Sequence, residues 1–173
     1  FAFQDFIYFK GDHTGMDSTT YGEISPRFSA SKILGEKIAF GPVTDLSLAL
    51  TYEEGEGPVH SLLYGLGVDV AVPYFTYLNF NTYRRDGMST GNNSDGWQFT
   101  PVFRIDIPVG SANIVLDGFI DWVFATDDNG YEENFHFNPQ LKYDLGKSLF
   151  GDHQANKLLV GIEYDLWTNK YGV

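Results

Sequence analysis

One segment, residues 61–85, limits the folds open to this chain more than any other. Its first half alternates small or polar residues with apolar ones at Leu62, Tyr64, Leu66, Val68, Val70 and Val72. An uninterrupted period of two predicts a β-strand with one apolar face. We expect Pro73 to end it, because proline cannot donate to the ladder, and a second strand, 74–85, to follow almost without a loop. Strands of about 9–11 residues can cross a bilayer, so this length indicates a membrane barrel.

The same alternation recurs along the whole chain. We predict nine strands, at residues 1–9, 21–31, 43–52, 61–72, 74–85, 97–107, 112–124, 134–144 and 158–166. Pro26 is unfavourable in the second strand, because proline cannot donate a ladder hydrogen bond. Residues 32–42 hold at most one short helical turn. The pattern predicts an all-β fold, an antiparallel up-and-down transmembrane β-barrel with an even strand number of about ten to twelve when complete. We expect residues 1–173 to form one such domain, incomplete at both ends.

Composition excludes several classes of function. A net charge of −12 argues against nucleic-acid binding, which needs a basic surface. The absence of cysteine removes disulfides and thiol chemistry. The sequence contains no stretch of about 18 apolar residues, so it does not predict a transmembrane helix.

Aromatic residues make up 17% of the chain, and many fall near predicted strand ends. We interpret them as the two interfacial girdles of a barrel: Phe9, Tyr52, Trp97, Trp122, Phe124 and Trp167 at the outer end, and Phe40, Tyr74, Phe75, Tyr143 and Phe150 at the inner end. The predicted connections at the outer end are acidic and glycine-rich: 10–20, 53–60, 84–95 and 125–133. An aromatic core in an ordinary β-sandwich stays open as an alternative.

Four motifs resemble one family of outer-membrane proteins. Phe40-Gly41-Pro42-Val43 leads into an alternating strand, and residues 66–75 form the sequence LGVDVAVPYF. The later segments DGFIDW (117–122) and GIEYD (161–165) fit the same pattern. The chain is similar to the Tsx-type family, the nucleoside-specific channel-forming outer-membrane proteins that include OmpK. The resemblance extends over about residues 25–173.

The resemblance implies a monomeric barrel of about twelve strands in the outer membrane of a Gram-negative bacterium. It would contact the lipid bilayer and lipopolysaccharide, and its narrow lumen would pass nucleosides passively without any cofactor. Some members of the family also serve phages or colicins as surface receptors. Against that plan, we expect about two strands to be missing before this chain and one after it.

The polar strand faces would line the lumen of such a barrel. A nucleoside carries a stackable base and a hydroxyl-rich ribose, so its path needs aromatic rings, amides and carboxylates. We therefore predict these lumen-lining, substrate-binding residues: Asp69, Asn79, Asn81, Tyr83, Arg85, Arg104, Asp106, Asp117, Phe119, Asp121, Asn134, His136, Asn138 and Glu163. The opposite charges among them are compatible with a second role, as structural ion pairs inside the wall.

Two other functions stay open on the sequence. In the first, the loops 10–20, 84–95 and 125–133 bind a phage or another partner and the pore is incidental. In the second, a soluble lipocalin-like barrel turns its apolar faces inward and binds a small apolar ligand.

Catalysis and metal binding are not indicated, and we predict no residue for either. The four histidines lack metal-ligand spacing. Only His136 beside Ser25 or Ser29 would imitate an outer-membrane hydrolase. Six acidic loop residues offer oxygen ligands for weak Ca²⁺ binding, although a solvated acidic loop is the simpler interpretation: Asp12, Asp17, Asp127, Asp128, Glu132 and Glu133.

Overall fold

The fold was obtained as a computed structural model that describes residues 2–12, 15–55, 60–88, 94–127 and 130–172. Side chains are described within 22–55, 60–88, 94–127 and 130–170, and at residue 172. The strands are β1 (Ala2–Asp12), β2 (Gly15–Ser25), β3 (Arg27–Ser29), β4 (Val43–Gly55), β5 (His60–Val70), β6 (Tyr77–Gly87), β7 (Gly96–Val109), β8 (Ala112–Thr126), β9 (Asn134–Asp144), β10 (Leu159–Glu163) and β11 (Leu166–Thr168). Two short helices are α1 (Ala30–Leu34) and α2 (Leu145–Phe150). Within the described ranges, neither helix is long or apolar enough to span a bilayer.

All the strands join one antiparallel sheet in the order β1-β2-β4-β5-β6-β7-β8-β9-β10, curled into a half-barrel. The two remaining strands lie beside this path, since β3 pairs with β4 and β11 pairs with β9. Each neighbour in the path follows the previous strand along the chain, which is the predicted up-and-down order. The all-β antiparallel prediction is therefore confirmed.

Two prolines explain why the eleven strand segments among the described residues occupy nine positions in the sheet. The registers of β2 and β3 against β4 run in one line, with Ile24 opposite Tyr52 and Arg27 opposite Ala49. Pro26 lies between them and accepts a hydrogen bond from Leu50 N–H (3.0 Å) but has no N–H to return.

The same break occurs where β10 and β11 follow one register along β9. Pro139 of β9 accepts from Tyr164 N–H (3.0 Å), and proline cannot donate to Tyr164 in return. The nine predicted strands are thus the nine positions of the sheet.

Strand limits differ from the prediction at several turns. β5 ends at Val70 rather than beside Pro73, so six residues, 71–76, join it to β6. Phe75 N–H donates to Val72 C=O (3.2 Å) in this turn, which makes the nearly loop-free hairpin wrong. The predicted polar loop 10–20 is also wrong, because β1 and β2 stay paired as far as Asp12 opposite Gly15.

The two ends of the sheet differ in their connections. One end, here the acidic end, carries connections 13–14, 56–59, 88–95 and 127–133, and the other, the helical end, carries 30–42, 71–76, 110–111 and 145–158. The two longest connections lie at the helical end. Loop length therefore does not support the predicted orientation, and only the acidic character of the first set still favours an outward position.

The two faces of the sheet have opposite chemistry. Buried polar side chains share the concave face, for example Asn81 and Asn138 at 2% and 4% exposure. Large apolar side chains stand on the convex face, where Leu66 is 69% and Ile162 73% exposed. This polar-in, apolar-out alternation is that of a membrane barrel and excludes the lipocalin-like alternative, which needs the reverse.

Candidate functional site

The concave face holds every residue that the sequence predicted to line the lumen. Antiparallel register places directly opposed residues on the same face. One row of opposed residues runs Gly67, Asn81, Thr100, Asp121, His136, Trp167, and the next runs Asp69, Asn79, Val102, Phe119, Asn138. Tyr83, Arg85, Arg104, Asp106, Asp117, Asn134 and Glu163 lie in parallel rows on the same face. The structure places them together on one face, whereas their lining of a lumen and their binding of a solute stay predictions.

Where these two rows cross β8, β9 and β11, aromatic rings and carboxylates form one group, which we name the His136 cluster: Phe119, Asp121, His136, Asn138, Asp165 and Trp167. The Trp167 ring stacks on the His136 imidazole, with centroids 3.7 Å apart and planes 13° apart. Phe119 meets the same imidazole edge-on at 5.1 Å. His136 is only 9% exposed, so its orientation is fixed by rings on two sides.

Hydrogen bonds hold the carboxylates of the His136 cluster. Asp165 contacts His136 Nε2 and accepts from Trp167 Nε1 (3.0 Å). Asn138 Nδ2 donates to Glu163 Oε1 at 2.9 Å. On the other side, His136 Nδ1 lies 3.9 Å from Asp121 Oδ2. The cluster therefore offers an aromatic wall bordered by hydrogen-bond acceptors.

Asp121 itself is held by neutral groups on β7. Gln98 Nε2 (2.9 Å) and Thr100 Oγ1 (2.7 Å) both donate to Asp121 Oδ1. Both donors are neutral, so neither forms an ion pair with the Asp121 carboxylate.

Most other charges on the concave face are paired. Arg27 lies 2.8 Å from Asp69, Arg104 2.7 Å from Asp106, and Lys142 2.9 Å from Asp117. Arg85 pairs with Glu53 rather than with an aspartate, at 2.8 Å. Arg104 and Asp106, both predicted lumen residues, form an ion pair of the expected kind, whereas each of the other three pairs joins one predicted lumen residue to a residue outside that set.

Three further predicted residues, Asn79, Asn81 and Tyr83, make hydrogen bonds or packing contacts within the barrel wall. Asn81 Nδ2 donates to Asn79 Oδ1 and to Thr100 C=O, both at 3.2 Å. Tyr83 is 5% exposed and belongs to a buried cluster with Ala49 and Leu63. Tyr83 lies opposite Gly65, where the absence of a side chain lets the two strands approach.

One aromatic residue lies elsewhere than predicted. The sequence predicts Trp167 in the outer girdle, but the residue lies opposite His136 and turns inward. Alternation contained the signal, because Glu163, Asp165 and Trp167 are spaced by two and share one face. Five other girdle residues lie within a few residues of a strand end as predicted, with Phe124 the extra residue of a β-bulge opposite Trp97 and Gln98: Tyr52, Trp97, Trp122, Phe124 and Tyr143. Phe40, Tyr74 and Phe75 lie in connections, and Phe150 lies at the end of helix α2. The side chain of Phe9 is outside the described residues.

The hydrolase-like arrangement does not form. Ser25 Oγ donates to Glu23 and lies 2.8 Å from Thr51 Oγ1, whereas His136 contacts Asp165. Among the residues that the structure describes, no three histidine, aspartate or glutamate side chains group as metal ligands. Asp127 is instead paired with Arg84, whose hydrogen bond lowers the pKa of that carboxyl group. Asp128 and the side chains of Asp12 and Asp17 lie outside the described residues.

A cavity of about 740 Å³ opens at the helical end, between the start of β4 and the turn from β5 to β6. Asp69, Phe75, Thr76 and Tyr77 are among its lining residues. The volume falls within the range of small-molecule pockets, about 300–1,000 Å³.

Comparison with known proteins assigns the family. The whole chain, residues 1–173, matches the family described as "Nucleoside-specific channel-forming protein, Tsx". The chain belongs to this Tsx family. Its members are outer-membrane proteins of Gram-negative bacteria, so the convex face of this Tsx-family chain faces lipid.

Individual relatives agree with the family. Outer membrane protein OmpK of Vibrio parahaemolyticus is 32% identical over 61% of this chain and 41% of its own length. The Nucleoside-specific channel-forming protein Tsx of Klebsiella aerogenes is 28% identical over 74% of this chain and 50% of its own length. The chain therefore spans about half the length of the curated relatives it matches.

Proposed function

We propose that the protein forms a channel in the outer membrane for passive, substrate-preferring diffusion of nucleosides. The His136 cluster is the observation that supports this most directly. It combines a stacked aromatic wall with carboxylate and amide groups on the pore-facing side of the sheet. The names of the relatives provide independent support. No covalent step, cofactor or metal enters the proposal.

Each part of a nucleoside has a complementary group in the cluster or in Glu163, which is hydrogen-bonded to it. The base packs against the Phe119 ring, because every base presents a π-face to an aromatic side chain. The ribose hydroxyls donate to Asp165 and Glu163, whose carboxylates accept hydrogen bonds from Asn138 on the wall. These contacts are weak enough for the solute to leave, as conduction requires.

The proposal is tested by single-channel recording on the full-length protein in planar bilayers. Adenosine or thymidine should block the ionic current, and glucose, which has hydroxyls but no base, should not. Phe119→Ala should weaken the block. Phe103→Ala is the matched control, because Phe103 lies on the lipid face beside Gly118. A current indifferent to nucleosides would leave a general pore.

The proposal includes a monomer surrounded by bilayer lipid and lipopolysaccharide. Binding of a phage or colicin at the 84–95 and 125–133 loops remains a prediction. Deleting only the connecting residues 88–95 or 127–133, which leaves β6 and β8 intact, and measuring uptake and adsorption would separate that role from conduction.

A further inference from the structure

Two short helices at the helical end share one local design. In α1 the side chain of Ser29 accepts from Lys32 N–H (3.1 Å), and in α2 that of Asp144 accepts from Lys147 N–H (2.9 Å). Each helix then ends with two apolar residues followed by a glycine, in the sequences SKILG (31–35) and KSLFG (147–151). Both glycines have positive φ, 70° and 87°. The repetition indicates a common role for the two helix ends.

Helix α2 sits across the rim of the barrel wall. Lys147 Nζ reaches inward and donates to Asn113 Oδ1 (3.1 Å), which belongs to the concave face. The neighbouring Ser148 accepts from the hydroxyl of Tyr143 (2.9 Å), which belongs to the convex face. Since a helix turns about 100° per residue, Leu149 lies about 200° around the axis from Lys147 and faces outward.

Helix α1 has the same arrangement. Ser31 turns inward, and its backbone N–H (3.1 Å) and Oγ (2.7 Å) both donate to Asp45 Oδ1 on the concave face. Ile33 lies about 200° from Ser31 and therefore faces the opposite side.

The apolar ends of both helices are largely uncovered. Ile33 is 69%, Leu34 65%, Leu149 61% and Phe150 60% exposed. Aliphatic and aromatic side chains at this exposure, repeated at two places, mark a contact surface rather than random surface residues.

We propose that these two helix ends are anchors that insert into the bilayer interface at the helical end of the barrel. Their partner is phospholipid, for two reasons. Leu149 continues the lipid-facing surface of β9, which reaches the rim at Tyr143. The two helices also stand far apart in the sheet order, beside β4 and beside β9, as an encircling bilayer requires and a single docked protein does not. Lys32, beside Ile33, would reach lipid phosphates with its ammonium group.

Residues 1–173 contain no cysteine, so a single cysteine placed among them is labelled selectively within this segment, and any cysteine elsewhere in the full-length protein would first be replaced by serine. Ile33→Cys and Leu149→Cys of the full-length protein, folded into phospholipid vesicles, would carry a nitroxide, with Leu34→Cys and Phe150→Cys as second positions. Power-saturation EPR would compare collisions with oxygen, which dissolves in lipid, and with a water-soluble nickel chelate. Ile162→Cys is the lipid reference. Glu36→Cys and Asp152→Cys are aqueous references from the same two connections.

The anchors should give an oxygen-to-nickel collision ratio close to that of Ile162→Cys and several-fold above those of Glu36→Cys and Asp152→Cys. Ratios equal to the aqueous references would overturn the proposal, because the helix ends would then lie in water. Low collision with both reagents would also overturn it, since a protein surface would be covering them. The outcome does not depend on which solute the channel passes.

Discussion

Arg84 and Arg85 are adjacent on β6, but their ion pairs should contribute very differently to the stability of the folded barrel. Arg85 faces the concave side, where its side chain is 8% exposed and that of Glu53 is 12% exposed. Two bonds join them, Nη2 to Oε2 at 2.8 Å and Nη1 to Oε1 at 3.2 Å, and Nη1 also donates to Gln98 Oε1 at 2.6 Å. Arg84 faces the convex side and pairs with Asp127, whose side chain is 51% exposed.

We predict that Arg85→Met destabilises the folded barrel by about 3–5 kcal/mol, because removing one partner leaves the other charge buried without compensation. The carboxylate of Glu53 would lose its guanidinium, and no described contact with another cation would replace it. Replacing both partners, Arg85→Met with Glu53→Met, should recover most of the loss, since the buried charge is then absent as well. Arg84→Met should change stability much less, because solvent screens an exposed pair.

The measurement is urea unfolding of the protein in phospholipid vesicles, followed by tryptophan fluorescence. The unfolding midpoints of the wild type, the two single variants and the double variant would be compared at one lipid composition. An Arg85→Met midpoint no lower than that of Arg84→Met would refute the assigned burial. A double variant as unstable as Arg85→Met would refute the unpaired-charge explanation.

Three further outcomes follow from the structure. Phe119→Ala should raise the nucleoside concentration that blocks half of the ionic current by about 5- to 150-fold. This factor corresponds to the loss of about 1–3 kcal/mol of base stacking. Phe103→Ala should leave that concentration unchanged in the same recordings. Gly65→Ala should destabilise the barrel by about 3 kcal/mol in urea unfolding, because the new Cβ would lie 1.8 Å from Thr82 C=O, whereas Gly22→Ala, with its nearest atom at 3.9 Å, should fold normally. Arg84 lowers the pKa of Asp127, so their ion pair stabilises the folded state at pH values above the ordinary aspartate pKa. This stabilisation is lost as the pH falls through the lowered pKa. In Arg84→Met, an NMR titration should show the pKa of Asp127 rising towards about 3.9.

Alternation was sufficient to predict the sheet and its faces. A period of two determines which side chains share a face, and the apolar stripe had to point towards lipid, so the inward set followed from residues such as Asn79, Asn81 and Asn138. Turns were less predictable, since ladder pairing extends as far as backbone geometry allows. Residues 10–12 and 15–20 are mostly polar but still pair as strands, and β5 ends at Val70, three residues before Pro73.

The composition of the His136 cluster was only partly predictable. Trp167 lies near a strand end, where an aromatic ring suits either an interfacial girdle or the pore. Its position near the strand end favours the girdle. Its spacing of two residues from Asp165 and four from Glu163 instead places it on the same face as those carboxylates, which favours the pore. The spacing is the stricter constraint because backbone geometry sets which side chains share a face. The identity of ion-pair partners also required the register, since Arg85 reaches Glu53 on a strand that is not its neighbour.

The carboxylates of the concave face fall into two groups that should respond differently to mutation. Asp69, Asp106 and Asp117 each pair with a guanidinium or an ammonium group, which brings the charge of that part of the wall close to balance. Asp121, Glu163 and Asp165 are held mainly by amide, hydroxyl and ring N–H groups, and therefore keep more of their capacity to accept hydrogen bonds from a solute hydroxyl. Both groups lie on the same concave surface, so what distinguishes the two groups of carboxylates is the type of hydrogen-bonding partner and not their location. Substitution in the first group should lower stability, and substitution in the second should change the nucleoside block while the barrel still folds.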